Sequence, residues 1–227
     1  MTALPARARR AALAALLALL AGCGTAGDSP LGFALSGIVA SLGGGGAKAA
    51  GEAALAAQLT PEALARATRP LLFAELPSRD ARATFVIGGE NRGHVTWLGA
   101  DGIGLVLRGG VLTSTRGLGP DLLASDTAAA EAAIRRGEGS ATRSHRYLGG
   151  ENQVIARNFA CGYISEGRAT IEIVGTRHAT RVVTERCAGG RTHFENRYWI
   201  GADGFVWQST QWIGPEIGAV TLKQLVR

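Results

Sequence analysis

From Pro70 onward the apolar residues fall in short runs rich in β-branched and aromatic side chains, separated by Gly, Asp and Pro. "LLFAEL", "ATFVIGG", "HVTWLGA", "IGLVLRG" and "VLTSTRG" come first. "RSHRYL", "QVIARNFACGY", "RATIEIVG", "ATRVVTERCAG", "THFENRYWI", "GFVWQSTQWIG" and "AVTLKQLV" follow. Such runs predict strands, roughly eleven or twelve of them. The links are too short for parallel crossovers, which need about a dozen residues, so neighbours are antiparallel. The expected fold is mainly β: a large antiparallel meander curled into a barrel- or sandwich-like sheet, which also disposes of sheet edges. A few short helices interrupt it. Thr60-Pro61-Glu62 reads as a helix start running to about Ala67, with Thr as cap and Pro at the first helical position. "TAAAEAAIRRG" after Asp126 reads as a second, with Glu131 early and Arg135-Arg136 late, as the helix dipole favours. Helical stretches are also predicted at Leu31 to Leu42 and Ala47 to Gln58.

One phrase occurs twice: "WLGADG" at Trp97 to Gly102 and "WIGADG" at Trp199 to Gly204. Asp-Gly between apolar runs is a strong hairpin signal, because Gly takes positive φ cheaply. Asp101 and Asp203 are therefore read as turn residues. A two-residue loop would set Tyr198 opposite Ser209 and Ile200 opposite Trp207. A four-residue loop keeps the same side chains on the same face, whereas a three-residue loop flips them. Beyond the turns the copies diverge, since Gly109-Gly110 breaks the first while Phe205 to Ile213 continues.

The first 22 residues differ in kind. Arg7, Arg9 and Arg10 precede an uncharged Ala/Leu run, Ala11 to Ala21, that is short of the roughly 20 residues needed to span a bilayer. "LAGC" closes it, so residues 1–22 read as a lipoprotein signal peptide and Cys23 as the lipidated residue. An ordinary signal with a chance Cys is the alternative. Gly24, where an Asp would favour inner-membrane retention, points to the outer membrane. Residues 23–59, rich in Ala and Gly, read as a tether, and residues 60–227 as a single β-rich domain. The Gly43 to Gly46 run with Lys48 is no phosphate loop, because Ala49 stands where Ser or Thr is needed and no strand precedes it. Cleavage lowers the formal charge. The 24 Lys+Arg lose three Arg to the signal, and 21 against 18 acids leaves +3. That balance gives no argument for nucleic acid.

Cys161 and Cys187 remain after Cys23, and an even pair in an oxidising compartment reads as a disulfide. Their spacing, and that of His94, His145, His178 and His193, supports no metal site. No nucleophile elbow or metalloprotease motif occurs, and no cofactor is expected. A glycoside hydrolase needs two carboxylates about one bond, and Glu172, Glu185 and Glu195 are the candidate acids. Three of the four Trp lie between Trp199 and Trp212. Trp199, Trp207 and Trp212, with Arg197 and Gln211, are accordingly candidate contacts for a glycan or a protein partner. Packing in a hairpin core is the competing role.

"TWLGADGIGLVLRGGVLTSTRGLGPDLL" (Thr96 to Leu123) and "FENRYWIGADGFVWQSTQWIGP" (Phe194 to Pro215) resemble the two signature regions of the YjbF/GfcB lipoproteins. The lipobox and "LTPEAL" at Leu59 to Leu64 agree. Gln208 and Thr210 stand where the family pattern tends towards Arg. The resemblance implies a non-enzymatic, periplasm-facing outer-membrane lipoprotein assisting capsule or exopolysaccharide assembly or export. The partner it implies is an outer-membrane β-barrel protein of the YjbH/GfcD type. A periplasmic glycan-binding module and a polysaccharide-modifying hydrolase are the alternatives.

Overall fold

The computed structural model describes residues 45–151 and 153–227. The signal peptide, Cys23 and the helix expected at Leu31 to Leu42 lie outside them. Helix α1 (Gly45–Gln58) and the short α2 (Pro61–Ala65) precede the sheet. Thr60 caps α2 as expected, its hydroxyl accepting from the Ala63 N–H at 3.2 Å. The strands are β1 (Leu71–Leu76), β2 (Ala81–Asn91), β3 (His94–Gly99), β4 (Gly104–Arg108), β5 (Val111–Arg116) and β6 (Leu122–Asp126). After α3 (Ala128–Arg136) come β7 (Glu138–Leu148), β8 (Val154–Ile173), β9 (Thr176–Gly189), β10 (Thr192–Ile200), β11 (Val206–Gly214) and β12 (Gly218–Val226).

These twelve strands form one antiparallel sheet, nearly closed into a barrel, in the order β5-β4-β3-β2-β1-β12-β11-β10-β9-β8-β7-β6. Two meanders are joined where β1 pairs with β12. The expected strand count is met by two compensating differences. "QVIARNFACGY" and "RATIEIVG" form a single strand, β8, because Gly167 sits in a bulge opposite β9 and the chain runs on through it. The short β6, "LLASD", was not expected; only Leu122 of it is fully buried, so its apolar signal is weak.

Both repeated phrases make three-residue turns. Gly99 N–H donates to Ile103 C=O and Gly102 N–H to Gly99 C=O; Gly201, Phe205 and Gly204 repeat the pattern. Gly102 and Gly204 both take φ of 81°, which a side chain would strain. Asp101 and Asp203 each accept, through Oδ1, the N–H two residues on at 3.1 Å. Two- or four-residue loops were expected, and three flips the faces. The second hairpin undoes the flip with a bulge: Ile200 pairs with Val206, but Trp199 pairs with Gln208 and Tyr198 with Ser209. Trp207 is the extra residue. The first hairpin has no such bulge, and β3 and β4 pair without a shift from Leu98–Gly104 to His94–Arg108.

The interior holds two cores. One is apolar, built from β1–β5 and β11–β12 around Leu72, Phe85, Trp97, Leu105, Leu112 and Leu222. The other gathers Phe159, Cys161, Tyr163, Val183, Cys187 and Tyr198 with the buried face of α3, Ala130, Ala133 and Ile134. Gly137, at φ 85°, ends α3, and its N–H returns to Ala133 C=O.

Candidate functional site

The second core carries a polar network sealed from solvent. Period-two alternation sends Arg143 and His145 of β7, Tyr163 of β8, Glu185 of β9, Asn196 and Tyr198 of β10 and Gln211 of β11 inward. Glu185 lies at the centre. Arg143 Nη1 donates to both of its oxygens, at 3.0 and 3.3 Å. Tyr163 Oη, Asn196 Nδ2 and Tyr198 Oη donate at 2.7, 2.7 and 2.9 Å. Burial, and then the Glu185 charge, push both tyrosine phenols up, so they stay protonated as donors. Burial alone pulls the Arg143 guanidinium down; Glu185, with Tyr198 and Tyr163, more than reverses it and the net shift is upward.

The network also closes the barrel where the ladder ends. β5 and β6 are the two end strands. Leu112 of β5 donates its N–H to Gln211 Oε1 at 2.8 Å, and its C=O accepts from Arg143 Nη2 at 3.4 Å. Gln211 Nε2 reaches Gly110 C=O at 2.8 Å. Arg143 Nη2 also reaches Ser125 Oγ of β6 at 3.2 Å. Asn196 Oδ1 accepts the Trp212 N–H at 2.6 Å. Side chains thus satisfy backbone groups that a buried edge would otherwise leave unpaired.

Beside the network lies an aromatic cluster. The Trp212 ring stacks on Phe194 at 4.4 Å, and His145 lies 5.2 to 5.8 Å from Phe159, Phe194 and Trp212. Tyr147 Oη donates to Ile213 C=O at 2.7 Å, so it accepts from His145 Nδ1, 3.0 Å away. Nε2 is then an acceptor without a partner among the described residues. Burial, and secondarily Arg143, pull His145 down to about 3, so the ring is neutral at pH 7.

Cys161 and Cys187 face each other across β8 and β9 and form a disulfide. Their sulfurs approach the Glu185 carboxylate, but the bond removes the two thiolates a metal would need. Of the three candidate acids for hydrolysis, Glu185 is enclosed, while Glu172 and Glu195 are exposed on the outside, Glu195 paired with Arg186 and Arg197.

The five candidate contact residues do not share one surface. Gln211 is in the buried network and Trp212 in the aromatic cluster. Arg197 and Trp199 lie on the outer face of β10, where Arg197 pairs with Glu195 and Glu166. Trp207 alone lines a cleft, of about 260 Å³, together with Leu72, Trp97, Leu107, Phe205 and Leu222. It stacks on His178 at 3.9 Å, and burial lowers that histidine's pKa. Nothing in the sequence marks Arg143, Tyr163, Asn196 and Tyr198 as site residues. Polar residues alternating with apolar ones normally mark the solvent face, and here they mark the inside.

No curated protein matches the chain. The sequence model of a family described as "Group 4 capsule polysaccharide lipoprotein gfcB, YjbF" matches residues 43–225. Among solved structures, the hypothetical lipoprotein YmcC from Escherichia coli K12 is similar, with a TM-score of 0.66 at 21% identity. That match covers 77% of this chain and 92% of the other.

Proposed function

Because the chain belongs to the YjbF family of group 4 capsule polysaccharide lipoproteins, we propose that it assists capsule or exopolysaccharide assembly or export by docking to an outer-membrane β-barrel protein, without catalysing a reaction. In this reading the partner is of the YjbH/GfcD type. Cys23 anchors the chain to the outer membrane, facing the periplasm. Acyl chains contribute about 0.8 kcal/mol per buried CH₂, so more than one chain on Cys23 would hold the protein stably.

The family match over residues 43–225 carries the proposal. The state of the interior acid supports the non-catalytic part: Glu185 is fully buried and accepts from Arg143, Tyr163, Asn196 and Tyr198, which leaves no path to a substrate. A general acid or base must come within hydrogen-bond reach of the reacting group.

The experiment is deletion of the gene, with surface polysaccharide measured and the tagged protein purified from solubilised membranes. Reduced polysaccharide and a co-purifying outer-membrane barrel protein are expected. Unchanged polysaccharide would sink the proposal.

A further inference from the structure

The cleft beside Trp207 joins the two repeated phrases. Trp97 of the first copy forms one wall, and Phe205 and Trp207, just past the second, form another. The bulge that makes Trp207 the extra residue of β11 sets this wall. Bulges re-aim side chains at the cost of ladder pairing, and they recur beside binding sites. Protein interiors are otherwise packed with few voids larger than a water molecule. An apolar cleft of about 260 Å³ opening onto the core residues Leu72, Leu107 and Leu222 is a departure from that packing.

The walls choose the ligand class. None of the lining side chains is charged. Its polar side chains are Gln208, Ser209 and Gln224, and two are already engaged. Ser209 Oγ accepts from Gln211, and Gln224 Nε2 donates to the Leu71 and Val226 carbonyls. Trp97 is 6% exposed, and its indole N–H has no acceptor among the described residues. Donors on the wall are therefore few, the two indole N–H groups and the Gln208 amide among them, and the rest of it is largely apolar. A sugar ring presents several hydroxyls, each costly to bury without a partner. A hydrocarbon chain has none, and aromatic and aliphatic walls suit it.

We propose that this cleft binds a single acyl chain, with Trp97 and Trp207 on its walls. The inference is independent of the polysaccharide reading, because it rests on the cleft alone.

The test uses the full chain carrying Cys23→Ser, titrated with cis-parinaric acid while energy transfer from Trp emission to the polyene is followed. Saturable transfer, displaced by palmitate and not by glucose, is expected. Val95→Trp adds bulk to the cleft wall and should weaken uptake about tenfold, as overpacking of a fitted space does. Trp199→Ala, on the outer face, should leave the affinity unchanged. Trp207→Ala provides a second wall variant if Val95→Trp does not fold, and it too should weaken uptake. Absent or unsaturable transfer, displacement by glucose, or indifference to the wall variants would overturn the proposal. The lipidated protein separates two sources of the chain. If it takes up parinarate as Cys23→Ser does, the ligand comes from outside; if only Cys23→Ser does, the cleft holds the protein's own lipid.

Discussion

In the hairpin closed by Gly99 and Ile103, Trp97 is buried and Leu98 is 42% exposed. In the hairpin closed by Gly201 and Phe205, the matching Trp199 lies outside and the matching Ile200 is 3% exposed. The turns are the same, down to the Asp side-chain bond and the φ of the second Gly. Their flanks differ. In "HVTWL" the apolar partner of Trp97 at spacing two is Val95, so Thr96 and Leu98 face out. In "FENRYWI" the alternating set is Phe194, Tyr198 and Ile200, with Asn196 carried inward among them, and Trp199 takes the outward side with Arg197. A turn motif therefore fixes how the chain reverses. The residues beside it fix which face is buried.

The difference extends to what each hairpin rests on. The first packs into the apolar core, while Tyr198 of the second donates into the buried Glu185 network. Without the bulge at Trp207, β11 would turn Gln208 and Thr210 inward in place of Ser209 and Gln211. Gln211 could then not reach Leu112 and Gly110, and the gap between the end strands would lose its closure.

Four measurements would break or sharpen this contrast. The largest effect expected is acid sensitivity confined to the second core. His145 titrates near 3 when folded and near its ordinary 6.5 when unfolded, so between those values the unfolded chain binds the extra proton. Stability from this group is fully present above 6.5 and is lost as pH falls towards 3, by up to roughly 4–5 kcal/mol. Urea melts across that window should show the loss, and His145→Phe should flatten it. Next, Arg143→Met leaves the buried Glu185 charge without its cation. That should cost about 3–5 kcal/mol, read as a lowered urea midpoint. Third, Trp97→Ala should cost about 3–5 kcal/mol, and Trp199→Ala roughly 1 or less. Equal costs would mean that the two hairpins are packed alike. Last, Ile200→Ala should cost about 2–4 kcal/mol, against about 0.5 or less for Leu98→Ala, by thermal or denaturant melts.

Much of this architecture was written locally. β1 and β10 occur where the runs "LLFAEL" and "THFENRYWI" predict them, and Thr60 and Gly137 bound their helices. Antiparallel pairing followed from the short links. The pairing of Cys161 with Cys187 followed from their being the two cysteines left after Cys23, and β8 and β9 set them opposite each other. The network could not be read in the same way. Arg143, Glu185, Asn196 and Gln211 look like solvent-face residues in sequence, because alternation gives period and not side.

The sequence alone determined the strand runs, the antiparallel sheet, the two Asp-Gly turns and the family signatures, since each depends on residues near one another along the chain. Only the tertiary structure decided the three-residue loops, the bulge at Trp207, the inward polar face and the cleft shared by Trp97 and Trp207. Those depend on how a curled sheet brings β7 and β11 against β5. Burial free energy is settled across the barrel, between residues about a hundred positions apart, as Leu112 and Gln211 are.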